Sequence, residues 1–419
     1  MRVLCLVLLR VLWALPTWAF LSDMNVHPMP VAPPSLPAAG STATDPTFGT
    51  TILRVTDSGD SPSYCINDYS NEPPLNINNT KIRAICNVGY KRFKVWDFNA
   101  ATMTLSNGRI QANPPPGLRE YEAQWSRISP NKFYAVGLKA LYEITIPDGA
   151  GTTWTNTLIR DFAADFVGSY ITQMSLSDNE DVFAFHYVNS NGVGTGYMVY
   201  KRSTDTILLN VSDEGTINEV EIDKSGRYLV SLKANATKDL HVWDLHGTPS
   251  RTTVDDLLWF SHRAIGNGFV ATGCNTRRLC MRNLATPNSV TFLLPRDSWS
   301  YATQQDHFAM PGSNDAWMVG TRFHINGGSV VKAFDNEIVF IATDGSSQVR
   351  RIAHHWSIVI DNNYDAQPRA SVSRDGNFIA FTSNWGNSSG RRDLYLVRVH
   401  PAAKTDTVPP LPPANLSIQ

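Results

Sequence analysis

The sequence predicts an all-β protein, a seven-bladed β-propeller of four-stranded antiparallel blades, and three observations carry that prediction. Sustained 3.6-residue periodicity is nearly absent, while short alternating runs rich in Val, Ile, Tyr, Phe and Thr recur with turn residues between them. One phrase returns seven times: a polar residue, a short strand, a tight polar turn, then a strand ending in small or apolar residues. Its turn centres fall near Asn79, Pro130, Asp178, Ser225, Asn267, Ser313 and Asp375, at separations of 51, 48, 47, 42, 46 and 62 residues. A four-stranded blade needs about 40–50 residues, so this is the spacing of a propeller.

In chain order the phrases are LNINNTKIRAIC (75–86), QWSRISPNKFYAVG (124–137), QMSLSDNEDVFAF (173–185), EVEIDKSGRYLVSL (219–232), HRAIGNGFVATG (262–273), HFAMPGSNDAWMVG (307–320) and RASVSRDGNFIAF (369–381). Third strands follow several of them, among them FKVWDF (93–98), ALYEITI (140–146), YMVYKR (197–202), LHVWDL (240–245), EIVFIAT (337–343) and DLYLVRV (393–399). Two contain the Trp-Asp pair that is similar to WD repeats, Trp96-Asp97 and Trp243-Asp244, without the matching Gly-His. GTTILRV (49–55) precedes the first complete unit and is expected to supply the outer strand of the last blade, closing the ring. The long last interval implies an excursion of about 15 residues over one face, and loops of that length are often functional.

Composition limits the function. The 419 residues carry 36 Lys+Arg against 37 Asp+Glu, a formal net charge of −1, so the phosphate neutralisation that dominates nucleic-acid affinity is not provided for. With 42% hydrophobic, 10% aromatic and 17% charged residues, and with 27 Gly and 25 Pro, the chain suits a well-cored globular fold rich in turns and excludes general disorder. Residues 1–19 read as a secretory signal, with Arg2 before an apolar run and a small-x-small end at Thr17-Trp18-Ala19; a buried amino-terminal helix is the rival reading. Arg10 interrupts that run, and no later segment is long enough to span a bilayer. The Pro-rich stretches 20–47 and 401–419 read as a linker and a tail on either side of a propeller at 48–400. The tail's DTVPPLPPANLSI is similar to linkers that lead into fibronectin type III modules.

Cys65, Cys86, Cys274 and Cys280 remain after the leader, an even number that suits two disulfides. CNTRRLC (274–280) has a turn-like centre that a bridge could close, which leaves Cys65–Cys86 as the second pair; zinc is the alternative, against which stands the lack of CxxC or of paired His at metal spacing. The expected setting is secreted, extracellular or periplasmic, and the expected state a monomer. Sequons at Asn78, Asn210, Asn235, Asn387 and Asn415 suit an exported surface in a eukaryote.

Inner strands of a propeller line its channel, so the first residues of the seven phrases should meet near one mouth: Leu75, Gln124, Gln173, Glu219, His262, His307 and Arg369. Such a set of imidazoles, guanidinium, carboxylate and amides could bind and turn over an acidic sugar. Uronate β-elimination needs neutralisation of the carboxylate, a base for the α-proton and an acid for the leaving oxygen. Arg369 could clamp the carboxylate, His262 or His307 could act as base, and Tyr364 or the second His could act as acid. Gln124, Gln173, Glu219, Gln367 and Trp356 are the candidate substrate contacts. Structural roles stand beside these: a His bonded to a neighbouring blade, an Arg paired with Glu219, aromatics packed between blades. His186, His241 and His246 receive no role. There is no Gly-x-Ser-x-Gly elbow, no phosphate-binding GxxxxGK[ST], no dinucleotide GxGxxG between strand and helix, and no CxxCH.

QPRASVSRDGNFIAFTSNW (367–385) resembles the repeated unit of TolB-like propellers, and together with the His-rich approach to it the carboxyl-terminal half resembles the oligogalacturonate-lyase type of propeller. The likeness to the general unit spans roughly 49–399. It implies an extracellular polysaccharide lyase or sugar-binding propeller with a divalent metal, manganese or calcium, whose ligands would be His262, His307, Gln367 and one of His354 and His355. The sequence departs from that pattern at Arg369 and Ala370, where His ligands are expected, and an Arg there could replace the metal electrostatically. A non-catalytic recognition or scaffold propeller is the other reading.

Overall fold

The computed structural model describes residues 20–118, 123–212, 217–233, 239–254, 262–274, 278–299, 304–326 and 332–399. Among them the structure is all-β apart from one 3-10 turn at Tyr364–Ala366. Seven antiparallel blades follow in order along the chain, I over 75–110, II over 124–161, III over 170–212, IV over 217–254, V over 264–292, VI over 304–354 and VII over 371–398, with VII and I joined into one sheet through the parallel pairing of Tyr64–Ile66. Each runs inner strand to outer strand, and in blade I the innermost strand is reduced to the bridge between Leu75 and Ile82. All seven predicted turn centres lie between the first and second strands of their blades.

Alternation within the strands sends successive apolar side chains to opposite faces, and each face meets the next blade. The result is seven interblade cores, one per seam. Phe93 and Val95 meet Trp125 and Phe133 between blades I and II. The other seams repeat that pattern, through to Val372, Ile379 and Phe381 against Val319 and Ile338 between VI and VII. Ring closure follows the expectation: Thr51–Arg54 pairs with Arg392–Arg398 as the outer strand of blade VII. Ile52 enters the core between blades VI and VII, and Leu53 the core between VII and I. Cys65–Cys86 and Cys274–Cys280 are both disulfides; the first joins Tyr64–Ile66, which also pairs with Arg392 and Asp393, to blade I.

The Pro-rich stretch 20–47 is not a free linker. Thr42–Thr44 adds a further strand outside Thr51–Arg54, Leu21 bridges Arg351, and the carbonyls of Pro34 and Pro37 accept from Trp385 Nε1 and Arg54 Nη1. Its prolines are compatible with this because they contribute carbonyls and need no donor of their own. The leader read at 1–19, the tail read at 401–419 and the sequons at Asn235 and Asn415 lie outside the described residues. No helix among the described residues is long and apolar enough to cross a membrane.

Candidate functional site

Inner strands and the connections leading into them enclose a cavity of about 320 Å³ on the ring axis. Its wall contains Gln124, Gln173, Glu219, His262 and Tyr364 of the residues singled out from the sequence. Gln173 sits at a β-bulge in Tyr170–Leu176 with φ 47°, a left-handed backbone that turns its side chain along the wall, where Nε2 donates to the carbonyl of Asn218 at 2.7 Å. Tyr364 is delivered by the long connection between blades VI and VII, on its 3-10 turn.

The centre of the mouth is a triangle of hydrogen-bonding groups. The Tyr69 hydroxyl donates to Glu219 Oε1 at 2.7 Å and lies 2.6 Å from His262 Nδ1, which is itself 2.8 Å from the same carboxylate oxygen. His307 stacks on His262 with ring centroids 4.2 Å apart, and Phe323 stacks on its other side. His307 is buried, and neither ring nitrogen has a hydrogen-bond partner. Arg369, in a left-handed conformation with φ 42°, is fully buried beneath the Tyr364 ring at 4.4 Å; its Nη1 donates to the Asp68 carbonyl at 2.7 Å and its Nη2 has no acceptor.

Burial would raise the Glu219 carboxyl, but the His262 charge and hydrogen bond, with Arg263 and Tyr69 behind them, bring it down to about 2. Burial works against a proton on His262, and the Glu219 carboxylate outweighs it, holding the imidazole above its ordinary range. Burial, then the charges of His262 and Arg369, holds His307 well below that range and therefore neutral. Burial and the adjacent Glu219 keep the Tyr69 phenol protonated. For stability the signs are opposite. The Glu219 contribution is present above the ordinary carboxylate range and lost as pH falls through about 2, while that of His262 is present below its ordinary value and lost as pH rises through the raised one. Glu219→Gln is accordingly expected to move the His262 midpoint downward in an NMR titration of the histidine ring protons. An unchanged midpoint would remove Glu219 as the group that tunes this histidine.

Tyr69 was not legible as a site residue, nor were Asp68, Asn71 and Glu72 beside it. All four line the cavity from the connection 67–74, which crosses the axis: Tyr69 reaches blade IV and the residue leading into blade V, and Asn71 Nδ2 donates to Glu221 in blade IV. The polar run NDYSNE (67–72) is the signal that could have found them.

Two expected members are elsewhere. His354 ends the outer strand of blade VI, so it lies in the seam with the amino-terminal segment, where its amide donates to Asp45 at 2.7 Å and its Nε2 is 3.1 Å from the His27 carbonyl. Trp356 is buried in the core between blades VI and VII near Trp385 and is no sugar platform. Gln367 is buried and donates to Asn362 at 3.1 Å. The proposed metal set of His262, His307, His354 and Gln367 therefore does not converge, and His355 is taken by the Arg322 carbonyl at 3.0 Å. Among the described residues no group of three or more His, Cys, Asp or Glu could hold a metal ion. The donor set does not fit the divalent metal that the family resemblance implies.

The far end of the channel is tied across by ions. Arg374 of blade VII meets Asp178 of blade III at 3.1 Å, Arg127 of blade II meets the same carboxylate at 2.5 Å, and Lys224 of blade IV binds Asp315 and the Gly312 carbonyl of blade VI.

Solved structures place this architecture among β-propellers. An oligogalacturonate lyase from Vibrio parahaemolyticus superposes with a TM-score of 0.57 at 11% identity, covering 86% of this chain and 99% of that one. A chain of a mitotic checkpoint complex does so with a TM-score of 0.52 at 15% identity, covering 88% and 96%. No protein-family model and no curated sequence matches the chain. At these identities the likeness shows the fold: the chain is a seven-bladed β-propeller of the general type that the oligogalacturonate lyase shares.

Proposed function

We propose that the chain is an exported propeller that binds an acidic, uronate-containing glycan at the mouth formed by Tyr69, His262 and Tyr364, and that it cleaves this glycan by β-elimination. The observation that carries the reading is the Tyr69–His262–Glu219 triangle, with His307 stacked behind it, opening on a cavity large enough for a sugar ring. Export rests on the amino-terminal leader pattern and the two disulfides. The likeness to the lyase fold supports the substrate class by analogy only.

The chemistry balances within the triangle. His262 takes the proton α to the uronate carboxylate on Nε2; the C–H electron pair forms the new double bond, the C4–oxygen bond breaks, and the departing oxygen takes the Tyr69 proton. The Nδ1 proton of His262 then passes to the Tyr69 oxygen 2.6 Å away, and the imidazole, left protonated on Nε2, regains its starting tautomer by proton exchange with water. A cationic His262 cannot serve as base, so turnover requires a pH above its raised midpoint. The burial of Arg369 beneath Tyr364 favours a second reading, recognition without cleavage, because a substrate carboxylate reaches the guanidinium only if Tyr364 moves aside.

Incubation with a panel of uronate polysaccharides, followed by ultraviolet absorbance of unsaturated products, separates the two. Elimination predicts a rising trace that His262→Ala lowers by at least 100-fold with melting nearly unchanged. A flat trace with every glycan, with and without manganese or calcium, rejects cleavage, and the absence of binding to any of them rejects the acidic-glycan reading.

A further inference from the structure

We propose that His307 is a positioning residue: its ring is the flat wall that holds the plane of the His262 imidazole, so that Nδ1 stays on Glu219 and Tyr69 while Nε2 is left to the cavity. This rests on the reading of His262 as the base and adds the group that aims it. The two rings are 4.2 Å apart and within 14° of parallel. Phe323 backs His307 from the other side at 5.6 Å and 11°, which makes His262 the cavity end of a three-ring stack. Tyr69 meets both imidazoles in edge contacts, at 5.8 Å to His262 and 5.6 Å to His307.

Hydrogen bonding alone does not fix the His262 ring. Among the described residues its two partners both sit at Nδ1, Glu219 at 2.8 Å and Tyr69 at 2.6 Å, and bonds at one ring atom leave the tilt of the ring open. A parallel aromatic wall closes that freedom. His307 is built as the wall and not as the base. It lies in the strand Gln304–Ala309, paired with Thr321 of Trp317–His324, and is 1% exposed. It does not line the cavity, and both its nitrogens are sealed without a partner, so neither is presented to a substrate. Burial and the charges of His262 and Arg369 keep it neutral, so its face can rest against a protonated neighbour where a second cation would be repelled.

Two variants of the full chain separate aiming from packing, because His307→Leu keeps only apolar bulk while His307→Phe restores a flat ring. With the uronate polysaccharide that the parent cleaves fastest, His307→Leu is expected to lower kcat about thirtyfold with KM within about twofold, and His307→Phe to recover most of that loss. The His262 midpoint in an NMR titration is expected to fall in His307→Leu, as the Nδ1 contact with Glu219 loosens, and to return in His307→Phe. A Leu variant that matches the parent in both readouts, or a Phe variant that recovers neither, overturns the proposal. If a variant fails to fold, the parent decides: ring current from His307 is expected to place the His262 ring protons upfield of their usual positions, and usual positions overturn the stack. A flat ultraviolet trace in the parent removes cleavage alone, and the titration and ring-current measurements still decide whether His307 holds His262.

Discussion

Leu53→Asp is expected to leave the protein without a cooperative melting transition by calorimetry or near-ultraviolet circular dichroism. Leu53 is fully buried, and it belongs to the one blade VII strand that comes from the other end of the chain. Its side chain packs with Leu394 and Leu396 of blade VII and with Ile82 and Ala84 of blade I, while its neighbour Ile52 seals the opposite seam. An ionised carboxylate there loses the apolar packing and carries a desolvation cost of at least several kcal/mol, comparable to the whole stability of a domain. Thr42→Asp, on the exposed strand just outside, should change melting little. Cooperative unfolding of Leu53→Asp within a few degrees of the parent would show that strand closure is dispensable.

Asp335→Ala is expected to cost about 3–5 kcal/mol in denaturant unfolding. Asp335 is 1% exposed, ion-paired with Arg322 Nε at 3.0 Å and with His324 Nε2 at 2.9 Å, and it accepts from the Lys332 amide at 2.7 Å. Arg322 is fully buried, so truncating the carboxylate removes the ion pair at its Nε from a guanidinium that stays in the interior, bonded to the Ala333 and Ser298 carbonyls. Asp244→Ala is the control. Asp244 pairs with Arg227 where both side chains are well exposed, and its removal should cost about 0–1 kcal/mol. Equal losses for the two variants would contradict the role given to burial.

The fold was legible because its signals are local. A polar turn between two alternating runs needs only a dozen residues to be seen, and its return near Asn79, Asp178 and Asp375 counted the blades. The closing strand was legible as a surplus strand at 49–55. The site was legible in part: Gln124, Gln173, Glu219 and His262 share the wall because each lies in or just before an inner strand, and Tyr364 arrives on the long connection that the wide last interval implied. His354 and Trp356 were misplaced because nearness in sequence to the last blade says nothing about radius. His354 closes an outer strand, far from the axis in the order of its sheet. Tyr69 was missed for the converse reason. It precedes a blade whose inner strand has shrunk to one bridge, and its partners lie 150 and 193 residues further on.

The ions that join Arg374, Asp178 and Arg127 decide how anything enters and leaves. They link opposite sides of the ring, so a polymer cannot be threaded through it as a cord through a bead. On the proposed reading a long glycan would have to offer an end or a side group and withdraw by the same door, and any short fragment released inside would have to back out before the next is taken.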